Sequence, residues 1–396
     1  MAMKPAILFG AFDRHNFGDL LFPHVAASLL GNTSLLFAGL VPRDLRDCGG
    51  YRVHALAQLA RHWGERSATL IHVGGEILTC DAWQAAVMLQ SPADAQAIIA
   101  QLDDCPEKQR EWAKQQVGID VLAPYCASRE LFASRVGIIY AGIGGVGLDR
   151  CDPALRAEVL AKLKNANAIG VRDRQTLAHL AKEGITASLI PDPAVMVAEL
   201  FGAQIRQPRS VQALIRERFP AGYIAVQFSA DFGDDATLAV IASGLEEVIK
   251  MSGYGVVFFR AGSAPWHDDT DCFERVVARL PERSAALFPS LKLWDICALI
   301  AGCRTYCGSS LHGRIVAMAF ARPRVNLCHP ALGADKQIAF ASTWDADLPA
   351  TVSLAGIAQG IGRILATDPA QLRDIAAELA QRYREGFKAL CSEVDE

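Results

Sequence analysis

The chain has 396 residues, 51% of them hydrophobic, and a formal net charge of −4 at pH 7. That length fills two cores comfortably, and the near-balanced charge without a Lys or Arg run excludes a nucleic-acid groove as the default partner. No apolar run reaches the roughly 18 residues of a membrane helix.

From the N-terminus, the apolar stretch Ala6 to Phe9 is too short for a signal peptide and reads as a first strand. Further strands are expected at Ser34 to Phe37, Thr69 to Val73, Val136 to Ala141, Ala168 to Val171 and Ser188 to Ile190. Amphipathic segments such as Asp19 to Leu30 and Ala154 to Leu163 lie between them, a βαβ alternation that predicts a mostly parallel sheet. Residues 91–130 interrupt the alternation. They are polar, with Asp94, Asp103, Asp104, Glu107 and Lys108, and hold one expected helix, Glu107 to Gln116, so they read as an insertion over a cleft or at a subunit contact.

A polar stretch at Gly202 to Ser210, with Pro208 and two arginines, marks a join. Beyond it strands are expected at Tyr223 to Phe228, Gly255 to Phe259, Ala285 to Phe288, Arg304 to Cys307 and Arg324 to Leu327. Helices Asp235 to Met251, Asp271 to Leu280 and Leu291 to Ala301 separate them, and Asp368 to Leu390, with a capping start at Thr367 or Asp368, reads as a long closing helix. The expected fold is therefore α/β, with two Rossmann-like domains facing across a cleft. The first covers residues 1–203 with the insertion, the second 210–366, and 367–396 hold the closing helix.

Eleven cysteines occur without a CxxC pair, mostly inside apolar stretches such as Ile296-Cys297-Ala298, a pattern of reduced, buried thiols in a cytoplasmic protein. Strand alternation puts Cys303 and Cys307 on one core face, which argues against a zinc site shared with His312. Neither a metal nor a cofactor is expected.

In open parallel sheets, ligands bind outside the carboxyl ends of the strands, so the loops there carry the functional reading. After the first strand comes Asn16-x-Gly18-Asp19, where Asp19 is either a helix cap or a functional carboxylate. After the third comes Gly74-Gly75-Glu76, which permits a tight turn or close approach of a ligand. Gly142-x-Gly144-x-x-Gly147 formally fits a dinucleotide fingerprint, but its helix starts only near Pro153, so a tight or phosphate-friendly loop is the better reading. Arg172-Asp173 follows the fifth strand, either as a fork-shaped cation held in a cleft or as a surface pair with a helix cap.

The most informative stretch is Gly308-Ser-Ser-Leu-His-Gly-Arg314, a strand-to-helix junction whose N–H groups favour a bound anion, with His312 and Arg314 at its mouth. His312 is either exposed to the cleft, as its glycine-flanked position suggests, or a satisfied core histidine. His267, beside Trp266 in a loop, is either part of a platform for a sugar or nucleotide base or an ordinary solvated residue. His329 and Arg260 are supporting candidates.

The segments Asn16-x-Gly18-Asp19, Gly74-Gly75, Gly142-x-Gly144, Gly170-Val-Arg-Asp173 with Pro191-Asp192-Pro193, and Ser310-Leu-His-Gly313 together resemble the polysaccharide pyruvyl transferase family, in order and spacing, from about residue 6 to residue 345. The resemblance implies an architecture similar to glycosyltransferase type B. It also implies transfer of a pyruvyl group from phosphoenolpyruvate to a sugar, leaving a ketal and free phosphate. The family's arginine after the fifth strand falls on Arg172, its histidine on His312, and a later lysine on Lys336. Where the family usually has arginine this chain has Ser310, and Arg314 is the candidate to compensate.

On that reading Arg172, Ser310, Arg314, Lys336 and Gly144 bind the donor, and His312 is the general acid because its ordinary pKa lies near neutrality. Asp19, with Glu76 as the weaker choice, is the base from the opposite domain, and Asn16, Glu76 and His267 face the acceptor. The partners expected are phosphoenolpyruvate and a glycan or lipid-linked saccharide, with peripheral contact at the inner membrane face. Two alternatives stay open: a nucleotide-sugar glycosyltransferase of the same architecture, and a non-catalytic relative, which the Ser310 departure favours.

Overall fold

Strand Ala6–Phe9 (β1) is buried at all four positions, as a central parallel strand must be when helices cover both faces of its sheet. A computed structural model of the protein describes residues 4–31, 33–102, 104–132, 135–207 and 210–394. The chain divides into two compact units, residues 1–193 with 382–396, and residues 194–381. Asp103, and Pro208 in the expected join, lie outside the described residues.

The first unit contains β1 with Leu35–Gly39 (β2), Arg43–Asp44 (β3), Arg52–Ala55 (β4), Ala68–Gly75 (β5), Val136–Ile143 (β6), Ala168–Val171 (β7) and Ser188–Leu189 (β8). They form one sheet in the order β3-β4-β2-β1-β5-β6-β7-β8, parallel except for the β3–β4 pair. The order runs outward in both directions from β1 and β5, so the topological switch lies at Gly10 and Gly75. The core is aliphatic around Ile7, Phe9, Leu70, Ile138 and Val171.

His72 of β5 sits at its centre, fully buried and stacked on Tyr140 with ring centroids 3.9 Å apart. Its Nε2 accepts the Ala127 N–H at 3.0 Å, so its Nδ1–H donates to the Ile139 carbonyl at 3.1 Å. Burial pushes the ring down to about 3, so it is neutral at neutral pH.

The second unit contains Tyr223–Gln227 (β9), Gly255–Phe258 (β10), Ala285–Leu287 (β11), Thr305–Gly308 (β12), Arg324–Leu327 (β13) and Thr351–Val352 (β14). All pairs are parallel and the order is β11-β10-β9-β12-β13-β14, with the switch between β9 and β12. The register sets Gly308 against Gln227 at that point. Phe228, Phe258 and Phe273 pack edge-to-face and stacked over this core. The two Rossmann-like α/β units expected from the strand pattern are therefore present.

The stretch 91–130 differs from the expectation of an appended insertion. It holds two helices, Pro92–Leu102 and Pro106–Val117, and the second packs on Ala82–Met88 through Ala113 and the Trp83–Trp112 contact. Residues 123–127 that follow belong to the first core: Tyr125 and Cys126 are fully buried and the Ala127 carbonyl accepts from the Tyr140 hydroxyl. The charged outer face of Pro106–Val117 dominates the composition and masks this. The last helix, Pro369–Ser392, ends against the first sheet, where Gly386 lies on Ile190 and Leu390 on Gly170. Among the described residues no helix is long and apolar enough to cross a membrane.

Candidate functional site

At the switch point of the first unit, the loop after β1 turns into helix Phe17–Leu30. Asn16 caps it in extended geometry, its side-chain oxygen accepting the Gly18 N–H at 3.0 Å and the Asp19 N–H at 3.4 Å. Asp19 is thus not the cap. It lies in the first turn with its carboxylate 3.7 Å from Arg14 Nη2. A Cβ on Gly75 would lie 3.9 Å from Asp19 Oδ1, which sets Asp19 beside the end of β5. Gly75 itself has φ +90°, a conformation open to glycine.

Arg14 lies over the Tyr125 ring at 5.4 Å, and the Tyr125 hydroxyl donates to Asp13 at 2.9 Å. Asp13 is fully buried and also accepts the Leu40 N–H at 2.6 Å, so it ties the loop to the end of β2. Burial raises its carboxyl above the ordinary range, although Arg14 and these hydrogen bonds pull the other way.

Arg172, directly after β7, is 2% exposed, which excludes the surface-pair reading. Its Nη2 lies 2.6 Å from Glu76 Oε2 and its Nη1 lies 2.8 Å from Asp192 Oδ2. Burial opposes the charge, but the Glu76 and Asp192 carboxylates outweigh it and raise the pKa further. Glu76 Oε1 accepts the Val146 N–H at 2.8 Å, which fastens the Gly142–Gly147 loop onto the ion cluster. A Cβ on Gly144 would sit 2.8 Å from Arg172 Nε, so this glycine makes room for the pair rather than for a dinucleotide. Asp173 caps helix Arg174–Lys182 through the Thr176 N–H at 2.7 Å, and Thr176 Oγ1 accepts the Gly145 N–H.

In the second unit, the turn after β12 leads into helix Leu311–Ala319. Ser310 is its cap, accepting the Gly313 N–H at 3.2 Å, while its own N–H donates to Gln227 Oε1 at 2.8 Å. His312 sits half-buried in the first turn. Asp268, the neighbour of His267, accepts from Gln227 Nε2 at 2.6 Å, and burial raises its carboxyl to about 7 against the pull of the Ala261 N–H and Gln227. That places a half-buried acid with a raised pKa beside Gln227 at the end of β9. Trp266, with φ +61° and 47% exposed, projects from the same loop.

Arg314 is a correction to the sequence reading. It is fully buried, with Nη2 2.6 Å from Asp345 and Nη1 2.9 Å from the Ala350 carbonyl. Four residues into the helix, its side chain points back into the protein and not to the mouth. Arg324 shares the same Asp345 at 2.7 Å. Lys336 is exposed at the start of helix Asp335–Trp344, whose Gln337 donates to the Ser309 carbonyl.

The structure thus gathers Asn16, Asp19, Glu76, Gly144 and Arg172 at the end of the first sheet, and Ser310, His312 and the His267 loop at the end of the second. Sequence reasoning missed Arg14, Tyr125, Gln227 and Asp268. Gln227 carries one available signal, a polar residue at the end of an otherwise apolar strand, and Asp268, in a loop just before helix Thr270–Val277, carries none.

The family model for polysaccharide pyruvyl transferase matches residues 132–327, a span that includes Arg172 and His312. The resemblance read from the motifs is borne out there, and it supports a transferase that acts in polysaccharide pyruvylation. No curated protein matches the chain significantly. Among solved structures, UDP-GlcNAc 2-epimerase from Methanocaldococcus jannaschii, in complex with UDP-GlcNAc and UDP, is similar with a TM-score of 0.54 and 11% identity, covering 93% of this chain and 94% of that one. The enzyme from Neisseria meningitidis bound to UDP-GlcNAc matches with a TM-score of 0.54 and 10% identity, covering 99% of each chain. At such identities the likeness establishes the fold, the glycosyltransferase type B architecture, and nothing about substrate.

Proposed function

We propose that this protein transfers the pyruvyl group of phosphoenolpyruvate to a saccharide of a cell-surface polysaccharide or of its lipid-linked precursor. The observation that carries the reading is the family match, because it spans both Arg172 and His312 with the loops that hold them. In the reaction, two sugar hydroxyl oxygens bond to C2 and give up their protons, one to C3 and one to the departing phosphate, whose bond to C2 breaks, leaving a ketal and inorganic phosphate.

Phosphoenolpyruvate carries two anionic groups on a small frame, so its site needs converging cationic and N–H donors. Arg172 is anchored by Asp192, which is fully buried, while Glu76 is the more exposed of its two partners. Exchange of Glu76 for a substrate oxygen turns this guanidinium toward the donor. His312, at the positive end of its helix, is the candidate acid for C3, and Lys336 is a second cation for the phosphate. Asp19 is the candidate base for a sugar hydroxyl, with Asn16 and His267 on the acceptor side.

Calorimetric titration with phosphoenolpyruvate, beside UDP, tests the reading. Saturable phosphoenolpyruvate binding that disappears in folded His312→Ala and Arg172→Ala variants is expected. Binding of UDP alone would move the assignment to the nucleotide-sugar chemistry of the structural neighbours.

A further inference from the structure

Gln227, the last residue of β9, is 2% exposed and joins two loops. Its Oε1 accepts the Ser310 N–H at 2.8 Å, with the Tyr306 hydroxyl 3.5 Å away, and its Nε2 donates to Asp268 Oδ1 at 2.6 Å. The partners fix this orientation. A backbone N–H can only donate, so the amide oxygen must face Ser310 and the amide nitrogen must face Asp268.

Asp268 Oδ2 in turn accepts the Ala261 N–H at 2.5 Å. Both carboxylate oxygens therefore face N–H donors, and the ionised form is the one that fits. A proton on the side of Oδ1 that faces Gln227 would meet its N–H, and a proton on the other side leaves a neutral, weaker acceptor there. Rotating the amide by half a turn relieves that contact, but it sets the amide N–H groups against the Ser310 N–H and breaks the bond to the turn. A proton on Oδ2 meets the Ala261 N–H in the same way. What is released matters, since Ser310 caps the helix whose first turn carries His312, and its carbonyl accepts from the Tyr306 hydroxyl at 3.0 Å and Asn326 Nδ2 at 3.2 Å.

We propose that Asp268 is a positioning residue: ionised, it holds the Ser310 N–H in place through Gln227, and protonated, it loosens that N–H while the other bonds of the turn remain. The raised carboxyl of Asp268, near 7, makes the two states exchange close to neutrality. The groups facing it from other elements are Arg260 at the end of β10 and Tyr306 on β12. Burial holds the Tyr306 hydroxyl well above its ordinary value, so it does not supply the transition. His267 and Asp269 flank it on its own loop. The bearing of the lock on catalysis rests on reading His312 as the acid of the site, but the lock itself does not.

Hydrogen exchange of the Ser310 amide in the unliganded full chain, followed from pH 5.5 to 8.5 and corrected for intrinsic rates, reads the lock directly. The wild-type amide is expected to be about tenfold better protected at the high end than at the low end, the equivalent of one ordinary hydrogen bond. In Asp268→Asn the weak protection should persist at every pH, and Gln227→Met, which keeps the carboxylate and removes the relay, should behave likewise. Wild-type protection that does not change with pH, or an Asp268→Asn variant that keeps the wild-type response because His267 supplies it, overturns the proposal. Since no substrate is present, failure here and failure to bind phosphoenolpyruvate are separate results.

Discussion

Glu76 Oε2 lies 2.6 Å from Arg172 Nη2, on the edge of the guanidinium that Asp192 leaves open. Two carboxylates on one guanidinium leave the trio one negative charge in excess, a poor reception for a multiply anionic ligand until Glu76 moves. Glu76→Gln keeps a hydrogen-bond acceptor for the Val146 N–H and removes the competing charge. We expect it to tighten phosphoenolpyruvate binding about tenfold, the scale of one like charge in a partly screened site. Calorimetric dissociation constants for the two proteins check this, and equal or weaker binding by the variant would mean the anion does not use Arg172.

Arg314 and Arg324 share Asp345 without solvent, so that carboxylate compensates two buried charges. The last carbonyls of helix Asp335–Trp344, which Asp345 caps, add the negative end of a helix dipole. Asp345→Ala should cost at least about 3 to 5 kcal/mol, since removing one partner of a buried pair strands the other. Arg314→Met leaves the Arg324–Asp345 pair in place and should cost less, with phosphoenolpyruvate affinity within about twofold of wild type, a change of only some 0.4 kcal/mol. Urea denaturation and calorimetry on the same samples separate the two effects. A stable Arg314→Met variant that no longer binds would return Arg314 to the site.

These residues also mark what the sequence could convey. Apolar runs such as Ala6–Phe9 and Tyr223–Gln227 announce buried parallel strands by composition alone, and from them the switch points and their loops follow. β4 was hidden because Arg52–Ala55 is only four residues long with Arg52 and His54 exposed, and Pro92–Leu102 because only its Ala95 and Leu102 are buried. At the site, Arg172 was legible because it follows β7 directly, and His312 because it lies in the first turn of the helix after β12. The burial of Arg314 was not, because it depends on Asp345 some 31 positions away meeting the inner side of the helix. Gln227 and Asp268 were missed for the same reason: the bond between them spans 41 positions.

The Ser310 side chain closes the helix start by accepting the Gly313 N–H. Ser310→Ala should therefore cost about 1 kcal/mol of stability through the lost cap. Ser310→Arg should cost the same and, by adding a cation at the helix mouth, bind phosphoenolpyruvate more tightly. Urea midpoints measured beside calorimetric titration check both halves. Loss of stability without a gain in affinity would show that the donor's anionic groups lie out of reach of this position.

His72 gives the pH dependence its clearest handle. Its ring is held neutral by burial, with a folded pKa of about 3 against an ordinary value of 6.5. Between those values the unfolded chain binds the proton and the folded chain does not. Its contribution to stability is therefore complete above about pH 6.5 and is lost as pH falls toward 3, at up to about 1.4 kcal/mol per pH unit. Asp268 acts in the opposite sense, since a raised carboxyl favours the folded state at the acid end of its own window, from 3.8 to about 7. The two slopes partly cancel in the wild-type protein, so the difference between wild type and His72→Gln isolates the histidine. The unfolding free energy at pH 7 minus that at pH 5 should be shifted downward in His72→Gln, toward greater relative stability at pH 5, because glutamine fills part of the same polar role between the Ile139 carbonyl and the Ala127 N–H without taking up a proton. Equal pH dependence in both proteins would mean that the ring is protonated in the fold, and that the stacked Tyr140 contact tolerates an imidazolium.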